Sequence, residues 1–125
     1  PPLEKVEQAN ISNLLRTLGF SIYTLGHPSP SDGRRHRGTM QTPGLPDLLV
    51  FSPPPKSRLI AIEVKREGGR LRPAQVVFRQ ECRAAGVDHV VGTYNAVVAW
   101  LIDHRYLRGE QVPWYRRPDG ADATN

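Results

Sequence analysis

The stretch PGLPDLLVFSPPPKSRLIAIEVKREGG, residues 43–69, decides the fold. Two runs rich in branched apolar residues, 47–51 and 58–65, flank the turn SPPPKS. Such residues suit a pleated, half-buried surface, whereas proline and serine suit the tight connection between strands. A connection this short makes the two strands antiparallel. With the turn centred at Pro55, Asp47 stands opposite Glu63, and cross-strand partners hold their Cβ atoms about 4.5–5.5 Å apart. Lys65 follows Glu63 by two residues and shares its face, while Ile62 and Val64 point the other way. A slip of one residue would undo the arrangement.

Two acids and a base on one strand face invite a chemical reading. Adjacent carboxylates repel, and one takes up a proton unless a cation sits between them. Oxygen ligands suit Mg²⁺ or Mn²⁺, which keep several waters and use one or two carboxylates plus a substrate phosphate. Asp47 and Glu63 would then hold the metal of a phosphodiester hydrolase, with Lys65 placing the attacking water or steadying negative charge. The ordinary alternative makes Glu63 and Lys65 solvent-facing residues of an amphipathic strand and Asp47 a turn cap.

Working outward, PPLEKVEQANISNLLRTLGF places Leu3, Ile11, Leu14, Leu15 and Leu18 on one helical stripe that stops at Gly19. FSIYTLG alternates as a strand, and residues 26–44 form a long basic loop without apolar periodicity. RPAQVVFRQECRAAG is a second helix with Pro73 at its first turn, Gly86 at its end, and Ala74, Val77, Phe78, Cys82 and Ala85 on one face. DHVVGT is a further strand, and NAVVAWLIDHRYL a last helix. The expectation is one α/β domain over residues 1–115, a mixed sheet flanked by helices, with a flexible tail at 116–125.

The chain has 125 residues, a net charge of +5 and a pI near 9.9, which favours a polyanionic partner. It has no apolar run of the roughly 18–20 residues that cross a bilayer, so no membrane association is expected and the compartment reads as cytoplasmic. The single Cys82 excludes an internal disulfide, and His27, His36, His89 and His104 lack paired ligand spacing, so no zinc site is expected. Trp100, Tyr106, Trp114 and Tyr115 suit either a core or a dimer contact.

GLPDLLVF followed by IAIEVKREGGRLRPAQ resembles the VRR-NUC family of the PD-(D/E)xK nuclease superfamily, in its stand-alone virus-type or bacterial form. The likeness runs from the first helix to about Leu101. It implies a restriction-endonuclease-like αβββαβ core, with Asp47 and Glu63 as metal ligands, Lys65 as the catalytic lysine and Gln75 as the glutamine of the following helix. It also implies an acid and a glutamine one turn apart on the first helix, here Glu4 and Gln8. Glu7 faces the same way on a helical wheel and is the alternative to Glu4. A capping box would also explain Gln75, but Arg72 stands where such a box wants Ser or Thr.

The resemblance further implies a metal-dependent endonuclease on branched or structured DNA, acting like a Holliday junction resolvase as a homodimer. A flap-cutting monomer and a DNA-binding module without catalysis are the alternatives, and no residue excludes RNA. Arg34, Arg35 and Arg37 in the loop, and Arg66, Arg70 and Arg72 beside EVK, are the candidate phosphate contacts. Nothing reads as a base-recognising helix, so shape and backbone recognition are expected.

Overall fold

A computed structural model describes residues 2–25 and 42–115. Most of the predicted 26–44 loop, with Arg34, Arg35 and Arg37, lies outside the described residues, as does the 116–125 tail. The chain runs α1 (Pro2–Thr17), β1 (Ser21–Thr24), β2 (Leu48–Phe51), β3 (Leu59–Val64), α2 (Pro73–Ala85), β4 (Asp88–Gly92) and α3 (Tyr94–Asp103), then a 3-10 turn at Gly109–Gln111. The four strands form one mixed sheet in the order β1-β2-β3-β4. The first two pairings are antiparallel, and β3 and β4 are parallel because α2 carries the chain back between them.

Leu48 pairs with Ile62 and Phe51 with Leu59, the register expected from a turn centred at Pro55. Ser52 closes that turn: its N–H donates to Arg58 O at 2.9 Å, and its Oγ accepts from Arg58 N at 2.8 Å. Alternation then sorts the sheet into two faces. Leu48, Val50, Ile60, Ile62, Val64 and Val90 point to a core completed by Ile11 and Leu15 of α1 and Val97 and Leu101 of α3. Full burial of each such side chain contributes about 1.5–3 kcal/mol. The other face carries Leu49, Phe51, Ala61, Glu63 and Lys65, and α2 covers its β4 side, where Phe78 lies 5.8 Å from the His89 ring.

The helices are shorter or less buried than their stripes predict. Leu3 at 63 % and Val77 at 52 % are exposed, because the stripe of each helix extends past the surface it packs on. Ala85 is exposed too, and Cys82 is the buried residue of α2, its thiol pushed up by burial. The last helix stops at Asp103, not Leu107: Arg105 takes φ +64, and Lys56 Nζ donates to His104 O at 2.6 Å and Arg105 O at 3.2 Å. Lys56 also sits 4.0 Å over the Tyr106 ring, which meets Phe20 edge-on and lies parallel to Trp100. Tyr115 is buried and donates to Asp103, so Trp100, Tyr106 and Tyr115 pack within the chain while Trp114 stays exposed.

Candidate active site

The G-x-P-D sequence at 44–47 shapes the entry into β2. Gly44 takes φ +92, and a Cβ there would lie 2.5 Å from the Ala74 carbonyl oxygen, so only glycine lets this backbone rest on the first turn of α2. Pro46 has no N–H to give to the ladder. The paired strand accordingly starts at Leu48 rather than at the expected Asp47, where the chain bends. Asp47 N donates to Ile62 O at 3.1 Å, and Asp47 Oδ2 accepts from Val64 N at 2.7 Å. A side-chain carboxylate thus takes the place of a backbone acceptor and is fixed beside Glu63.

Glu63 and Lys65 are only 4 % and 9 % exposed, so they are not the solvent-facing residues of an ordinary amphipathic strand. Glu63 Oε1 is buried and has no hydrogen-bond partner among the described residues. Burial, above all, pushes the Glu63 carboxyl up to about 8; hydrogen bonding with Asp47 and the Asp47 charge add to the rise, Lys65 opposes it, and Glu4 adds to it. Two ionised carboxylates have no donor between them, so they hydrogen-bond only when one keeps a proton. A buried acceptor without a donor, beside a second carboxylate, matches what a hard cation needs from a protein. Asp47 and Glu63 therefore fit Mg²⁺ or Mn²⁺.

The first helix separates its two acids. Glu7 Oε2 accepts from Tyr94 N at 2.8 Å, at the first turn of α3, where the helix presents free amides and partial positive charge. Glu4 is half-buried and close enough to Glu63 to raise it. Among the described residues, no three Asp, Glu, His or Cys side chains gather into a metal-binding group. Asp47 and Glu63 form the pair, with Glu4 in electrostatic reach.

Gln75 stands at the third position of α2, and its Oε1 accepts from Arg72 N at 2.7 Å. The return half of a capping box therefore forms although Arg72 is not a hydroxyl residue. Arg66, Arg70 and Arg72 are exposed on the segment between β3 and α2, just past Lys65. Gly68 in this segment takes φ +77, and a Cβ there would meet nothing. The sequence carries no signal for the donor that fixes Asp47, the Val64 N–H, because that bond joins residues 17 positions apart.

Residues 38–93 match the family model of the VRR-NUC domain, a span that contains Asp47, Glu63, Lys65 and Gln75 but not α1. A solved structure described as a VRR_NUC domain is similar to this chain with a TM-score of 0.58 and 28 % identity, over 81 % of this chain and 95 % of that one. No curated protein matches. Among the described residues no helix is long and apolar enough to cross a membrane.

Proposed function

We infer that this chain, which carries a VRR-NUC domain and with it a nuclease-type function, is a divalent-metal-dependent endonuclease of structured DNA. The observation that carries the reading is the buried Glu63 Oε1 without a donor, next to the Asp47 carboxylate. Asp47 and Glu63 would hold Mg²⁺ or Mn²⁺, with Glu4 adding negative charge at the same edge. Bound there, the cation would supply Lewis-acid polarisation of the scissile phosphate and a lowered pKa for water.

The chain's own residues supply the rest. Lys65, held on the Glu63 face by the strand period and by its N–H bond to Gly92 O at 2.9 Å, places an ammonium donor where negative charge develops on the phosphate. Val64 N fixes Asp47, so the acid does not rotate away when substrate arrives. Gln75 closes the first turn of α2, just past the basic segment, by accepting from Arg72 N. Arg66, Arg70 and Arg72 would grip the backbone on one side. Cutting both strands of a four-way junction takes two such sites, so a symmetric homodimer is the form proposed for junction resolution.

Cleavage of a labelled four-way junction, a 5′ flap and a plain duplex, with Mg²⁺, Mn²⁺ or EDTA, tests this with wild type and Glu63→Ala. Paired symmetric cuts in the junction, lost in EDTA and in the variant, are expected. Flap cutting alone by a monomer would replace the resolvase reading. Binding of all three DNAs without cleavage in either metal would make the chain a DNA-binding module.

A further inference from the structure

Tyr23 and Phe51 are large aromatic side chains left 58 % and 46 % exposed, with ring centroids 6.0 Å apart in an edge-to-face arrangement. Their place in the sheet is unambiguous. Tyr23 pairs with Leu49 and Leu49 with Ala61, while Phe51 pairs with Leu59. Paired residues share a face, and so do residues two apart along a strand. Both rings therefore stand on the face that carries Glu63 and Lys65, opposite the core. α2 covers the β4 side of this face through Phe78 and His89, and the rings occupy the β1–β2 side.

Three kinds of group follow one another along this face. Phe51 and its partner Leu59 lie at the turn end of the β2–β3 hairpin, Asp47 and Glu63 at its other end, and Arg66, Arg70 and Arg72 beyond. At about 3.3 Å per residue, the pairing positions of Tyr23 and Phe51 are about 7 and 13 Å from Asp47 along β2. Stacked nucleotides advance about 3.4 Å each, so the rings lie roughly two to four nucleotides from the carboxylates. A strand that leaves its phosphates with the arginines and crosses the carboxylates arrives with its bases at two aromatic rings. Nucleobases stack on such rings whatever their sequence.

A second copy of the chain fits less well. A fully buried aromatic residue covers roughly 150–250 Å², so two rings at half exposure offer about 200 Å². A stable interface needs about 800 Å² from each partner.

We propose that Tyr23 and Phe51 form a stacking platform for an unpaired nucleobase of the DNA substrate, a few nucleotides from the bond placed at Asp47 and Glu63. This rests on the nuclease reading above. It adds to that substrate an unpaired nucleotide next to the cut, as a flap carries or a junction exposes where its branch point opens, and it leaves the duplex portion to the basic segment.

Fluorescence anisotropy in EDTA separates binding from cleavage. The probes are labelled oligothymidylate, a 5′ flap and a blunt duplex; the proteins are wild type, Tyr23→Ala/Phe51→Ala, and the conservative Tyr23→Phe/Phe51→Tyr. The alanine pair should weaken oligothymidylate and flap binding at least about fivefold, a loss of one stacked base, while duplex affinity stays within about twofold. The conservative pair, which keeps both rings, should bind like wild type. Equal losses on all three DNAs, or none, would overturn the platform. So would a wild-type dimer that the alanine pair converts to monomer, since the rings would then be a self-association face. Selective binding in EDTA without cleavage in Mg²⁺ or Mn²⁺ would sink the catalytic reading and leave the platform standing. Wild type that binds none of the probes would overturn both.

Discussion

Replacing Glu63 with glutamine should make the metal-free protein more stable at alkaline pH, although it removes a proposed metal ligand. Burial, and after it Asp47, raise the Glu63 carboxyl from 4.5 to about 8. The folded state therefore keeps a proton that the unfolded chain releases near pH 4.5. Stability falls as pH rises through the window from 4.5 to about 8, and levels off above it. The interval between the two values, at about 1.4 kcal/mol per pH unit, gives roughly 5 kcal/mol. Solvent reaching the open side of this face screens the ion, and about 2–3 kcal/mol is the realistic size. Glutamine is close in shape to the protonated acid and does not titrate. Melting curves in EDTA should thus show the variant near wild type at about pH 5 and roughly 10 °C above it at about pH 9. Added Mg²⁺ should raise wild type more than the variant and narrow that gap. Parallel melting curves for the two proteins across the window would refute the account of Glu63 as a buried acid beside Asp47.

Lys65→Met should leave DNA affinity within a few-fold and lower single-turnover cleavage roughly 100-fold or more, because it removes a donor from the developing charge. Glu7→Ala should cost about 1–2 kcal/mol in urea unfolding by uncapping Tyr94 N, whereas Glu7→Gln keeps an oxygen acceptor and most of that stability. Gly44→Ala should cost about 2–4 kcal/mol, from the strain of φ +92 together with a Cβ at 2.5 Å from Ala74 O, and should lower cleavage by displacing Asp47. Changing Arg66, Arg70 and Arg72 together to glutamine should reduce the slope of log affinity against log salt by about 2–3 without altering preference among duplex sequences.

The part of the fold legible in the sequence is the part set by local rules. The turn at 52–57 and the alternation around it gave the β2–β3 register, and that register alone brought Asp47, Glu63 and Lys65 to one face. The bend at Asp47 does not follow from local rules, because the Asp47 carboxylate is held by Val64 N, 17 residues further along the chain. Glu4 and Glu7 were indistinguishable on a helical wheel. What separates them is Tyr94 N, 87 residues further along the chain, which takes the Glu7 carboxylate. The identity of the cap residue argues against a capping box at Gln75, yet the bond to Arg72 needs only the Arg72 backbone N–H, which any residue but proline supplies. Leu3 and Val77 are exposed for a related reason: periodicity defines which side of a helix is apolar, but not where the opposing surface ends.

The two faces of the central strand explain how a site of this kind persists in so small a domain. On one side Ile60, Ile62 and Val64 are at most 2 % exposed and join a core fed by α1 and α3, at about 1.5–3 kcal/mol for each side chain. On the other side, one residue of the same strand holds a carboxyl that resists ionisation at neutral pH. The stabilising side chains outnumber the destabilising one within a single β-strand, and pleating keeps them from interfering. A leucine at position 63 would suit such a buried position better than an acid does, so packing alone gives no reason for Glu63. The proposed cation shared with Asp47 would give one: it would supply a partner for Oε1, which has none among the described residues, and turn a local deficit into a binding site.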